Sequence, residues 1–327
     1  MLARLQRLLV LLALASAGAW GTWAVTHGVG LGWTLAGLLL ALAPHAPVLA
    51  LEFVLLATLG RDPQAPRATP AQLLRAWWGE VRCGWQVFGW RQPFAADQVP
   101  DTPGPPDSSE TPDTPDTPHR PGQPATGGRP ATPGRTGVLL LHGYVCNRGI
   151  WSPWLRRLQQ QGVPCTALTL EPVFGRIDTW VPAIEAAVAD LQRRTGRPPL
   201  LVGHSMGGLA VRAWLAAQPD AARADARVLG VVTIGTPHHG TWAARFGLSA
   251  NARQMRQNSP WLATLAAAES ARRRALFTCF YGHADNIVFP ASTATLAGAD
   301  NRHVPGAAHV QMVFEPMVIN EVLRRVG

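Results

Sequence analysis

Between residues 137 and 327, short apolar runs alternate with stretches whose apolar side chains recur at helical spacing. Residues 137–141 predict a buried strand ending at His142 and Gly143, and residues 150–161 a helix. Residues 163–170 read as a second strand. Residues 177–195 then carry Ile184, Val188 and Leu191 on one helical face, with Asp178 as the N-cap. Further strands are predicted at 200–203, 227–234 and 276–281, and a last short one just before residues 304–309. A helix at 209–217 and a closing helix at 316–326 complete the series. Apolar strands separated by helices imply an α/β fold with a mainly parallel sheet covered on both faces.

The first sixty residues follow another pattern. Residues 8–26 are almost continuously apolar. A second run from 29 to about 59 is interrupted only by Pro44–His45, Pro47 and Glu52. Each is long enough for a hydrocarbon core of ~30 Å. A transmembrane helical hairpin over 1–60 is the expected arrangement. A cleaved signal sequence or three spans, with a turn at the prolines, are the alternatives. Arg4 and Arg7 precede the first run, Arg61, Arg67, Arg75 and Arg82 follow the second, and residues 27–30 between them hold no Arg. The positive-inside rule then puts both ends in the cytoplasm, with a periplasmic catalytic domain as the alternative. Residues 61–96, with Trp77, Trp78, Trp85, Phe88 and Trp90, form either an interfacial helix or one docked on the soluble domain.

Composition separates these regions. From 97 to 135 the chain is Pro-, Thr-, Asp- and Gly-rich, with eleven prolines between 100 and 133. So few large apolar side chains predict a disordered linker. The formal charge of +9 comes from arginine without any lysine, in dispersed clusters, so no nucleic-acid partner is expected. The four cysteines are widely spaced, lack metal-ligand spacing and read as free thiols. No metal and no cofactor are expected.

The chemistry sits at 203–207, Gly-His-Ser-Met-Gly, between a predicted strand and a predicted helix. In that context a sharp turn strains the serine backbone and lifts its hydroxyl clear of the sheet, while the glycines leave room for neighbouring backbone. Ser205 is the candidate nucleophile, Asp285 the acid and His309 the base, in the chain order this architecture uses. Asp300, ahead of the last strand, is the rival acid. Met206 N–H and Tyr144 N–H, the latter on the loop after the first strand, are the candidate oxyanion donors, with His142 bracing that loop.

The His-Gly-Tyr at 142–144, the Gly-His-Ser-Met-Gly-Gly at 203–208, the Gly-Thr-Pro-His-His-Gly-Thr at 235–241 and the Asp-Asn-Ile-Val-Phe-Pro at 285–290, with the late His309, resemble the α/β-hydrolase superfamily, in particular bacterial triacylglycerol lipases and esterases. The resemblance covers about 190 residues, 136–327. It implies an α/β-hydrolase fold behind the transmembrane helices and linker, and cleavage of carboxylic esters of lipid or acyl type through an acyl-serine. A bacterial inner membrane and a membrane-lipid substrate follow as location and partner. His238, Phe246 and Trp261 are the expected substrate-binding residues, the latter two in a candidate lid at 242–275. An acyltransferase or thioesterase with the same triad, or a noncatalytic membrane scaffold, are the competing functions.

Overall fold

The computed structural model describes residues 1–102 and 134–327. Six short strands make one parallel sheet in the order β2-β1-β3-β4-β5-β6: β1 Val138–Leu141, β2 Cys165–Ala167, β3 Leu200–His204, β4 Gly230–Ile234, β5 Phe277–Tyr281 and β6 Asp300–His303. The four inner strands β1, β3, β4 and β5 are buried along nearly their whole length, as continuous apolar runs require. The edge strand β6 is polar and begins with Asp300, which pairs with Arg302. Asp300 therefore lies within the strand that it was expected to precede.

The N-terminal part is helical. α1 (Leu2–Thr26) is long and apolar enough to cross a membrane. The second apolar run is not one straight helix. It breaks at Ala43–Pro44 into α2 (Leu31–Leu42) and α3 (His45–Leu59), which meet at 78°. At ~1.5 Å per residue, each half alone falls short of a ~30 Å core. α2 lies along α1 through a close approach at Gly37, where a Cβ would sit 2.1 Å from the Trp20 indole. α3 buries Phe53 and Leu56 against Ala284, Phe289 and Ala308 of the sheet domain, while Val48, Leu51 and Val54 are exposed.

α4 (Pro70–Gly84) opens with a capping box between Thr69 and Gln72 and Pro70 in its first turn. It runs without a break into a π-helical turn, Trp85–Arg91, and a last turn, Gln92–Phe94. This segment docks on the sheet domain. Val87 joins the core beside Trp151 and Trp154, and Asn147 Nδ2 donates to Gln92 O at 3.1 Å. The expected linker falls largely outside the described residues. Its first residues are seated: Val99 is buried, Thr102 N–H donates to Cys165 O, and Asp101 pairs with Arg148.

Helices cover both faces of the sheet. α5 (Ser152–Gln160) and the closing Pro316–Val326 pack on one face around Trp151, Trp154, Val318 and Val322. α6 (Val181–Thr195) and α7 (Met206–Ala216) pack on the other around Trp180, Ile184, Leu209 and Trp214. Asp178 does not cap α6. It lies in a 3-10 turn, Ile177–Trp180, and accepts from Trp261 Nε1 at 2.8 Å and Gln254 Nε2 at 2.9 Å. The segment 242–275 thereby lies against the sheet domain, with Met255, Leu262 and Leu265 in the same core as Leu209. A buried bidentate pair fastens it further: Arg212 of α7 donates to both Glu269 oxygens, at 2.6 and 3.0 Å. All four cysteines are free thiols.

Candidate active site

The turn after β3 places Ser205 in a conformation that L-residues rarely adopt, φ 54° and ψ −125°. Its surroundings hold it there. Ser205 N–H donates to Ile234 O at 2.8 Å, and Ser205 O accepts from Thr236 Oγ1 at 2.8 Å and Gly208 N at 3.1 Å. The crowding expected of the glycines is explicit. A Cβ at 203 would meet Gly208 N at 2.5 Å, and one at 207 would meet Leu141 O at 2.3 Å.

Opposite the serine, Gly143 brings its backbone so close that a Cβ there would lie 2.9 Å from Ser205 Cβ. Tyr144 N–H and Met206 N–H have no acceptor among the described residues, and Met206 N–H sits at the start of α7, where a helix favours negative charge. The loop is braced by His142. Its Nε2 accepts from Leu170 N at 2.9 Å, so Nδ1 carries the proton and donates to Gly143 O at 2.9 Å. Burial pushes His142 down to about 4, which keeps it neutral. Val145, three residues after His142, also has positive φ, 54°, a rare state for a β-branched side chain.

Asp285 and His309 come together from the ends of β5 and β6. His309 Nδ1 lies 2.9 Å from Asp285 Oδ2, and Asp285 Oδ1 accepts from Ile287 N at 2.9 Å and Val288 N at 2.8 Å. Gly235, with φ +54°, is pressed against both: a Cβ would approach Asp285 Oδ2 at 3.0 Å and His309 Nδ1 at 3.1 Å. Burial works against a charge on His309, while the charge and the hydrogen bond of Asp285 favour it. With Glu80 and Glu52 adding to the effect, the imidazole is held above its ordinary value. His204, beside it, is driven well below its ordinary value by burial and by His309, and its Nε2 contacts His309 O at 3.3 Å.

Three side chains that sequence reasoning missed complete the arrangement. Asn286 Oδ1 accepts from His309 N at 3.2 Å, while its Nδ2 donates to Glu52 Oε2 of α3 at 2.7 Å. Glu80 of α4 accepts from Val310 N at 2.9 and 3.1 Å and from Gln311 N at 3.0 Å. Two N-terminal helices thus hold the histidine loop. Burial raises Glu80 to about 7 despite its three hydrogen bonds. The one visible signal was a lone carboxylate on a tryptophan-rich helix.

Each of the expected substrate-binding residues has contacts of its own. His238 is sealed in the core, its Nε2 3.0 Å from Thr233 Oγ1 and 3.4 Å from Cys279 Sγ. The positive-φ Gly235 turns the chain after β4, and His238 falls back under the sheet. Phe246 is 68% exposed, with its ring against Trp242. Trp261 is used in holding Asp178. Among the described residues no group of three His, Cys, Asp or Glu side chains is placed to hold a metal.

Residues 138–320 match the family described as the Alpha/beta hydrolase family. Among solved structures, Aspergillus fumigatus lipase B is similar at 19% identity and TM-score 0.50, over 57% of this chain and 51% of that one, so this chain spans about half the length of that protein. Bacillus licheniformis lipase BlEst2 is similar at 17% identity and TM-score 0.49, over 58% of this chain and 96% of that one. No curated protein matches the sequence.

Proposed function

The chain belongs to the alpha/beta hydrolase family, and from that premise we propose that it is a membrane-anchored serine hydrolase of carboxylic esters, with acyl esters of lipid type as its substrates. One observation carries the reading: Ser205 is strained at the start of α7, the N–H groups of Tyr144 and Met206 are unengaged among the described residues, and His309 is already paired with Asp285. Ser205 Oγ attacks the ester carbonyl and passes its proton to His309 Nε2. Asp285 stabilises the imidazolium, and the N–H groups of Tyr144 and Met206 receive the oxyanion. Collapse expels the alcohol, which takes the proton from His309. Water, activated by the same imidazole, then attacks the acyl-serine and releases the acid.

The membrane reading rests on α1 and the bent pair α2–α3, whose large side chains Leu8, Leu11, Leu12, Trp33 and Leu39 are exposed. Arg7 bonds to Pro93 O and Gln6 Nε2 to Gln92 Oε1 at 2.7 Å. These contacts support a start of α1 on the same side of the membrane as the sheet domain. With Arg4 and Arg7 there, the positive-inside rule favours the cytoplasmic side. An acyltransferase or thioesterase would use the same residues.

The test is turnover of p-nitrophenyl butyrate by the full chain and by Ser205→Ala. Loss of hydrolysis and of labelling by a fluorophosphonate in the variant is the expected outcome; equal turnover by both proteins refutes the assignment.

A further inference from the structure

An apolar cavity of about 310 Å³ lies among the N-terminal helices, and the chemistry above leaves it unused. Val10 and Ala13 of α1, Leu49 of α3 and Phe88 of the π-helical turn are among its walls, and it also touches Val145 and Glu80. Those last two contacts set it beside the reacting groups. Val145 follows Tyr144 directly. Its Cα is within about 7.6 Å of that of Gly143, two trans peptides away, and the Gly143 backbone abuts Ser205. On the other side, Glu80 grips the N–H of Val310, the residue after His309. The cavity therefore borders the candidate oxyanion loop directly, through Val145, and reaches the histidine loop through Glu80.

Its chemistry is that of a hydrocarbon site. The Glu80 carboxylate already accepts from Val310 and Gln311, so it offers little to a polar ligand. The volume is that of a small-ligand pocket. Leu8, Leu11, Leu12 and Leu14, the neighbours of the lining residues on α1, are exposed apolar side chains. The helix that lines the pocket thus also carries an exposed apolar surface suited to a bilayer. Phe246 and Trp261 have no part in it.

We propose that this cavity holds the acyl chain of the ester cleaved at Ser205. The chain enters from the bilayer between α1 and the α2–α3 elbow, so long-chain acyl esters are the preferred class. The inference rests on the serine-hydrolase reading for the reaction, but not for the location of the chain. Burying each added methylene is worth ~0.8 kcal/mol, so kcat/KM rises ~4-fold per methylene until the cavity is filled.

The full chain, in nanodiscs of ether-linked phospholipid, is assayed with p-nitrophenyl butyrate and p-nitrophenyl laurate. Ala13→Trp and Leu49→Trp lower the laurate-to-butyrate ratio of kcat/KM at least ~10-fold, which corresponds to the loss of about two buried methylenes. An unchanged ratio in both variants overturns the proposal. Independently of turnover, a diazirine-bearing stearic acid is photolysed with the unsubstituted chain and the adducts are mapped by mass spectrometry. Adducts within residues 9–13 and 85–89 support the cavity; adducts confined to 242–275 overturn it. Butyrate turnover no greater than that of Ser205→Ala refutes the hydrolase reading instead, and the adduct map still decides where the chain binds.

Discussion

Glu80 is the point where the N-terminal helices can be tested as part of the catalytic apparatus. Its side chain is 3% exposed and accepts two backbone N–H groups adjoining His309 through three contacts of 2.9–3.1 Å. Removing it by Glu80→Ala leaves the buried Val310 N–H without a partner, at ~1–3 kcal/mol, and the half-buried Gln311 N–H adds less. For a domain of this size that is a fall in Tm on the order of 5 °C. The freed loop carries His309, and a misplacement of ~1 Å costs on the order of 100-fold in rate. The loss is expected chiefly in kcat, because the imidazole is displaced.

Glu80 also has a pH signature. Burial lifts it from 4.5 to about 7. Between those values the folded chain keeps a proton that the unfolded chain has lost, so stability falls as pH rises through that window. At about 1.36 kcal/mol per pH unit the full fall is ~3 kcal/mol. Glu80→Gln cannot ionise and lacks this slope, although its amide leaves one donor poorly served. Thermal unfolding of both chains in nanodiscs at pH 5 and pH 8.5 measures the difference, and p-nitrophenyl butyrate turnover reads the rate. Wild-type kcat and Tm in Glu80→Ala, or parallel pH slopes in the wild type and Glu80→Gln, would refute the reasoning.

Other outcomes follow from the same contacts. Because Asp285, Glu80 and Glu52 hold His309 above its ordinary value, the base is freed only as pH rises past it. The acid limb of kcat/KM should therefore lie above pH 6.5, and in Glu80→Gln it should move down. Gly235→Ala would force a side chain into a positive-φ position against Asp285 and His309. Circular dichroism should show a folded protein destabilised by ~1–3 kcal/mol, with turnover down on the order of 100-fold. Glu269→Gln would leave the buried Arg212 guanidinium without its charge partner, at ~3–5 kcal/mol in chemical denaturation, and a wild-type midpoint would exclude that role.

The serine turn was legible because its requirements are local. Glycines at 203 and 207 are needed wherever backbone passes within 2.3–2.5 Å of a would-be Cβ, and that constraint is written in the five residues themselves. Likewise the alternation of apolar strands and helices is enough to imply a parallel sheet, since each strand must be covered on both faces. Asp285 and His309 could be ordered along the chain because both follow strands that end at one edge of that sheet. What the sequence could not carry were contacts made by distant segments. Glu80 reaches Val310 across 230 residues, and Glu52 reaches Asn286 across 234. No spacing rule connects them, because only the docking of α3 and α4 brings the groups together. Sequence neighbourhood also misled at His238. It stands three residues from Gly235 at the site, yet the left-handed turn at that glycine sends it into the core. Local backbone sterics determined the strained turn at Ser205; long-range packing decided which helices hold the loop of His309.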